Sequence, residues 1–272
     1  MHVIASFYPL QYVTQRIGGN HVSVRNLTPT GAEPHEIELS ASTTAKVEDA
    51  DLVVYLHGLA PAVDEAVANV AGNRGLDVTP DARLDLRLAA AAGDQSGNGG
   101  RDPHFWLDPT RLADVAAAVK SRLIDIDPAD AALFTANTAA LHADLTALDD
   151  DYRAALAHCA SRLIVTGHEA FGYLAERYGL TQIGVSGLTP DEEPSPAALA
   201  KVSRYVEQHH VATIYTETLV SPAITAAVAA ETGAATAVLD PLEGLSGATQ
   251  ASDYLGIMRA NLDALRRGLG CS

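Results

Sequence analysis

Lysine, cysteine and long apolar runs are all scarce in this 272-residue chain. Lys46, Lys120 and Lys201 are its only lysines, and the formal net charge is −16. Nucleic acid is thereby excluded as a partner, because phosphate binding needs clustered base. The acidic surface suits solubility and raises the local concentration of cations without naming one. No apolar run is long enough to cross a bilayer. The opening apolar segment, residues 3–9, is too short for a secretory signal and no cleavage motif follows it. That leaves a cytosolic protein or a mature form with an added start codon. The two cysteines, Cys159 and Cys271, lie too far apart in sequence to form a metal knuckle. They are either two free thiols or one disulfide tying the C-terminus to the second half, which would imply an oxidising compartment.

What is present is apolar content of 47%, enough to exclude a disordered chain. The length supports a sizeable core and two lobes. Strand-like and helix-like patterns alternate through the first part: strands over 3–7, 22–27, 52–56 and 76–79, with helices over 10–17, 40–50 and 61–71 between them. The segment 89–102, rich in glycine and alanine, reads as a mobile loop. Asp108 as N-cap and Pro109 at the first helical position open a helix to about residue 126. Pro128 opens a longer pattern to Cys159, in which Leu141, Leu145, Leu148, Tyr152 and Leu156 form one stripe. Thirty helical residues span roughly 45 Å, more than one lobe, and predict a rigid strut between lobes. The second half repeats the grammar with strands over 162–166, 181–185, 212–217 and 235–239 and a terminal helix over 252–267. The expected fold is α/β: two lobes of parallel or mixed sheet flanked by helices, at 1–127 and 159–272, joined by a linking helix over 128–158.

Four segments then present a metal-binding side chain at what reads as the end of a strand. They are Thr30-Gly-Ala-Glu-Pro-His35, Asp102-Pro-His104-Phe-Trp-Leu-Asp-Pro109, Val165-Thr-Gly-His168 and Val238-Leu-Asp240-Pro-Leu. Ligands bind beyond the carboxyl ends of strands in open α/β sheets. His35, His104, His168 and Asp240 would close a tetrahedral shell, three nitrogens and one oxygen, which suits zinc better than manganese. The other histidines of the ten fall at termini, turns and helix faces, although His57 lies at a strand end and fits a place beside the site. Asp240 carries a rival reading, since Asp-Pro is also a turn pair, and spacing alone does not prefer it to Glu169 or Glu217. Glu169, next to His168, would be the base of a zinc hydrolase if one coordination position stayed open.

The motifs resemble those of the zinc- and manganese-binding proteins of ABC transporters, the cluster called A-I, nearly end to end. Ala5-Ser-Phe-Tyr-Pro is similar to that family's first strand. Pro29-Thr-Gly-Ala-Glu-Pro-His-Glu-Ile-Glu-Leu, Asp102-Pro-His-Phe-Trp-Leu-Asp-Pro and Gly167-His-Glu-Ala-Phe-Gly-Tyr-Leu are similar to its three histidine motifs. Glu193-Pro-Ser-Pro, Glu231-Thr-Gly and Leu239-Asp240-Pro-Leu complete the likeness. The resemblance implies two lobes linked by one long helix with a metal between them, held by His35, His104 and His168, with Asp240 as the fourth ligand or a close oxygen neighbour. Manganese members resemble this chain but present a carboxylate where it has His168. Histidine-rich insertions of zinc members are replaced here by the glycine–alanine loop.

The resulting expectation is a non-enzymatic, extracytoplasmic solute-binding protein. It captures one Zn2+ per chain and passes it to the membrane permease of an ABC transporter. It would act as a monomer, with room for a lipid anchor upstream. The alternatives are a manganese-binding member of the same family, a zinc-dependent hydrolase and a surface adhesin.

Overall fold

The computed structural model describes residues 1–87, 101–190, 194–247, 249 and 252–272. Most of the glycine–alanine loop and Glu193 lie outside these described residues. The first lobe is built from β1 (His2–Ala5), α1 (Tyr8–Gly18), β2 (Ser23–Asn26), α2 (Ala41–Asp49), β3 (Leu52–Tyr55), α3 (Pro61–Ala66), β4 (Gly75–Asp77) and α4 (Thr79–Ala82). Its sheet runs in the order β2-β1-β3-β4 with every described pair parallel. Proline opens α3 at its first position, and the chain leaves it through a π turn at Val67–Ala71 rather than as one helix to Ala71.

Two helices follow, α5 (Pro109–Ile126) and α6 (Ala131–Ala155). The Asp108 carboxylate caps α5 by accepting from the Thr110 amide at 2.9 Å, as the sequence predicts. The strut is shorter than its pattern suggests. Pro128–Asp130 form a 3-10 turn before it. Past its end, the Arg162 guanidinium donates to the Leu156 and Ala157 carbonyls, at 2.7 and 3.0 Å, and holds the turn that follows the helix. Its 25 residues span about 37 Å. Leu141, Leu145, Leu148 and Tyr152 form its buried stripe.

The second lobe holds β5 (Leu163–Thr166), α7 (Gly172–Tyr178), β6 (Thr181–Gly184), α8 (Pro196–Gln208), β7 (Thr213–Thr216), α9 (Ala223–Thr232), β8 (Ala235–Val238) and α10 (Tyr254–Gly268). Its strand order, β6-β5-β7-β8, repeats the order of the first sheet, again parallel. In each sheet the first strand lies inside, with its successors on opposite sides. That reversal opens a crevice beyond the strand ends.

One apolar core runs through both lobes. It joins Phe7, Leu52 and Val115 to Tyr152, Phe171 and Met258, with smaller clusters behind each sheet. Hydrogen bonds cross the same seam: the Trp106 indole donates to the Pro241 carbonyl at 2.7 Å, and the Tyr254 hydroxyl to the Trp106 carbonyl at 2.6 Å. A continuous core resists wide hinge opening, because separating the lobes would expose it. Cys159 and Cys271 are joined as a disulfide, which fastens the end of the chain to the approach of β5.

Candidate metal centre

His35, His104 and His168 meet between the lobes, and all three point Nε2 at one carboxylate. That carboxylate belongs to Glu243. Its Oε1 lies 3.3 Å from His35 Nε2, 2.8 Å from His104 Nε2 and 3.3 Å from His168 Nε2. The ligand atoms of His35, His104 and Glu243 all fall within 4.8 Å of one another. A tetrahedral zinc ion with 2.0–2.1 Å bonds holds its nitrogen and oxygen ligands about 3.3–3.4 Å apart. The two 3.3 Å separations match that edge, whereas the 2.8 Å contact of His104 is a direct hydrogen bond and His168 stays outside the 4.8 Å group, reaching the others through Glu243. Glu243 is 1% exposed, and its Oε2 has no hydrogen-bond partner among the described residues. Such an oxygen calls for a partner, which either a cation or the neighbouring Glu33 carboxyl in its protonated form would supply.

Asp240, the sequence's candidate for the fourth position, is not among the converging groups. Its Oδ1 accepts from the Leu242 amide at 2.8 Å and its Oδ2 from the Thr218 hydroxyl at 3.0 Å. The Asn261 side chain bonds its backbone on both sides. Asp240 thus shapes an Asx turn, the rival reading of an Asp-Pro pair, and the turn delivers Glu243 three residues on. Burial pushes the Asp240 carboxyl up to about 6. Nothing in Leu-Glu-Gly distinguishes Glu243 from a solvated loop glutamate, and its nearness to Asp240 is the one signal the sequence offers for it.

The strand-end placement also needs correction. His168 follows β5 by two residues, but His35 lies nine residues beyond β2, and His104 leads into a 3-10 turn at Phe105–Leu107 before α5. The His35 loop is held by Gly31, whose φ of +84° favours glycine and whose amide donates to the Leu245 carbonyl at 2.8 Å. That bond ties the His35 loop to the loop carrying Glu243. His57 is not at the site either: its exposed ring pairs with Asp64 at 3.2 Å. Glu169 packs beside Gly184, where a Cβ would meet its Cγ at 2.4 Å, and has no place in the converging group.

The backs of two imidazoles are clamped. Glu217 accepts from the His168 amide at 2.8 Å and faces its Nδ1 at 2.5 Å. Asp102 accepts from the His104 amide at 2.9 Å and faces its Nδ1 at 2.7 Å. A carboxylate on Nδ1 draws the proton there and frees the Nε2 lone pair for a cation. Both rings are fully buried. His35 differs: its side chain is 10% exposed, and the residue lines a groove of about 540 Å3 together with Glu36, Ile37, Leu39, Pro61 and Glu65. The centre meets solvent on that side.

Burial opposes a charged His168, but Glu243 and Glu217 outweigh it and hold its pKa well above the ordinary value. Burial likewise opposes a charged His104, and Asp102 and Glu243 raise it. Burial alone would raise Glu243; the histidines instead hold it well below the carboxylate range. Glu33, close to Glu243 and buried, is pushed up to about 9 by burial and by that neighbouring charge. Protons on the imidazoles therefore occupy electrostatically the place that a cation would take.

Comparison with known proteins gives the chain a family. Residues 3–268 match the family described as ZnuA, zinc-uptake complex component A, periplasmic. The high-affinity zinc uptake system protein ZnuA of Bacillus subtilis (strain 168) is 33% identical over 280 residues, covering 99% of this chain and 88% of that protein. The Zn(II)-bound ZnuA-like domain of Streptococcus pneumoniae AdcA superposes with a TM-score of 0.82 at 33% identity, covering 99% of this chain and 98% of that one. Against the curated AdcA proteins, which extend further, the chain spans 55% of their length. A mutant structure of the laminin-binding adhesin Lmb from Streptococcus agalactiae superposes with a TM-score of 0.88 at 32% identity, over 99% of both chains.

Proposed function

The chain belongs to the family of periplasmic zinc-uptake component A, and on that premise we propose that it captures Zn2+ between His35, His104, His168 and Glu243. It is a solute-binding protein of a zinc ABC transporter, not an enzyme, and works outside the cytoplasmic membrane. A membrane permease receives its cargo. The observation that carries the ligand set is the convergence of three Nε2 atoms on Glu243 Oε1 at 2.8–3.3 Å. Three imidazoles and one carboxylate suit zinc, whereas manganese favours more oxygen and higher coordination.

Capture exchanges charge. The ion enters as the imidazoles release protons, and the Glu243 carboxylate passes from ion pairs with histidine to the metal. Because the apolar core is continuous across the lobes, release proceeds by displacement of the ligand loops rather than by a wide hinge. The chain acts as a monomer with lobes at 1–127 and 159–272 about the linking helix, and a lipid anchor upstream would hold it at the membrane.

Titration of metal-free protein tests the site. One zinc per chain is expected, with manganese bound more weakly. Zinc at a thousandfold excess over its dissociation constant should stabilise the fold by about 4 kcal/mol. Tighter binding of manganese, or no saturable zinc uptake, overturns the assignment.

A further inference from the structure

Asp102 is held by two lobes at once. It is fully buried, and its Oδ1 serves His104 at both the amide and Nδ1. Its Oδ2 has no hydrogen-bond partner among the described residues. That oxygen sits in a notch left by Gly172, the first residue of α7, where a Cβ would approach it to 2.4 Å. Gly172 does not have a positive φ, so the position needs glycine for space rather than for backbone conformation. The next residue, Tyr173, donates its hydroxyl to the Asp102 carbonyl at 3.2 Å. The same hydroxyl accepts from the Leu86 amide at 3.3 Å, and the Arg111 guanidinium lies 4.3 Å from the centre of its ring. Asp102 belongs to the segment that carries His104, while α7 follows His168 in the other lobe.

An Asx turn would account for the bond from the Asp102 carboxylate to the His104 amide. It accounts neither for the contact with the imidazole nor for the notch and the tyrosine that seat Asp102 from across the seam. We propose that Asp102 is a positioning residue through which Gly172 and Tyr173 of the opposite lobe set the orientation of His104 toward the cation. The inference rests on the metal site assigned above and adds its mechanical coupling. While α7 is seated, the Nδ1 proton of His104 stays directed at Asp102 Oδ1 and Nε2 faces the centre. A shift of α7 turns the carboxylate and releases the ring. The first lobe's ligand thereby responds to the second lobe, with no separation of the shared core.

The experiment compares wild type, Gly172→Ala, Asp102→Ala, the double variant and Tyr173→Phe. It reads zinc affinity by chelator competition and the imidazole Nδ1 proton resonances of the zinc-loaded protein by NMR. In G172A the new methyl meets a side-chain oxygen, so the carboxylate turns and the fold persists. G172A and D102A should each weaken zinc about 10- to 100-fold, the range for partners behind a metal ligand. The double variant should bind as D102A does, because the oxygen that clashes has gone. The His104 Nδ1 resonance should shift in G172A and Y173F and vanish in D102A. The His168 resonance, held by Glu217, should stay in place and so report an intact fold. Additive losses in the double variant, or an unmoved His104 resonance in G172A and Y173F, overturn the inference. Should D102A fail to fold, the G172A and Y173F spectra decide alone. A wild-type protein that takes up no zinc overturns instead the site assignment beneath it.

Discussion

Glu243 Oε1 lies 2.8 Å from His104 Nε2, although 139 residues separate the two in the chain. Each belongs to a different lobe, and the contact exists only when the lobes are packed. That pairing makes the fourth ligand of the proposed site a product of tertiary structure.

The two acidic candidates separate cleanly by substitution. Glu243→Gln removes the charge that faces all three Nε2 atoms, and zinc affinity should fall more than about 100-fold, beyond the loss for an outer partner. Asp240→Asn keeps an oxygen for the Leu242 amide and should lose less than about tenfold. His142→Ala, on the exposed face of α6 beside Thr146, should leave affinity unchanged. Chelator competition reads all three, and a larger loss in D240N than in E243Q would reverse the assignment.

Proton and metal dependence should run in opposite directions. His104 and His168 have raised folded-state pKa values. Their charged forms therefore stabilise the metal-free fold fully below the unfolded value near 6.5, and that contribution is lost as pH rises through the raised values. Glu243, held low, contributes above its unfolded value of about 4.3, and that share is lost as pH falls through the depressed one. Metal-free stability should thus decline on the alkaline side. Zinc must displace the imidazole protons, so its stabilising effect should grow over the same range. Thermal unfolding from pH 5.5 to 9, roughly one unit below the ordinary histidine value and well above it, with and without zinc, should show the two curves diverging.

Breaking the bridge between Cys159 and Cys271 should cost stability while sparing zinc stoichiometry. The cysteines lie 112 residues apart, and the chain-entropy value for such a loop is about 4–5 kcal/mol, an upper figure. Cys271→Ser should lower the denaturant midpoint and still bind one zinc. Thiol counting on denatured, unreduced protein should find no free thiol.

Arg177 fastens α7 to both long helices. Its guanidinium bonds Asp149 on α6 through Nε and Nη2, each at 2.8 Å, and reaches Asp108 at the start of α5 at 3.3 Å. Burial alone would raise the Asp149 carboxyl, but Arg177 and Arg153 hold it low. Arg177→Met leaves Asp149 with its other partners, Arg153 and Tyr178. The change should therefore destabilise by about 2–3 kcal/mol, less than loss of a fully buried pair. The Asp149 contribution is present above its unfolded value near 3.9 and is lost as pH falls through the lowered one. Acid unfolding of R177M should therefore begin at higher pH than in wild type.

Local order was legible in the sequence because it is set within a turn or two of chain. Period-two and helical apolar spacing marked the strands and helices of both lobes, and Asp108-Pro109 marked the start of α5. His35, His104 and His168 stood out because imidazoles in tight glycine- or proline-bearing turns are few. Helix length was less legible: the apolar stripe of α6 runs on to Leu156, whereas the helix ends at Ala155 and the Arg162 guanidinium holds the Leu156 carbonyl just beyond it.

The sequence by itself therefore determined the α/β grammar, the histidine set and, through its motifs, the family. Only the tertiary structure decided which carboxylate faces them. Asp240 and Glu243 sit three residues apart on one loop, and the choice turns on which finds local donors. Asp240 finds the Leu242 amide and the Thr218 hydroxyl; Glu243 finds three imidazoles from two lobes. The work of Asp102 and Glu217 was equally hidden, since each acts through a distance rather than a pattern. A notch the size of one methyl group, at Gly172, exists only once the lobes have met.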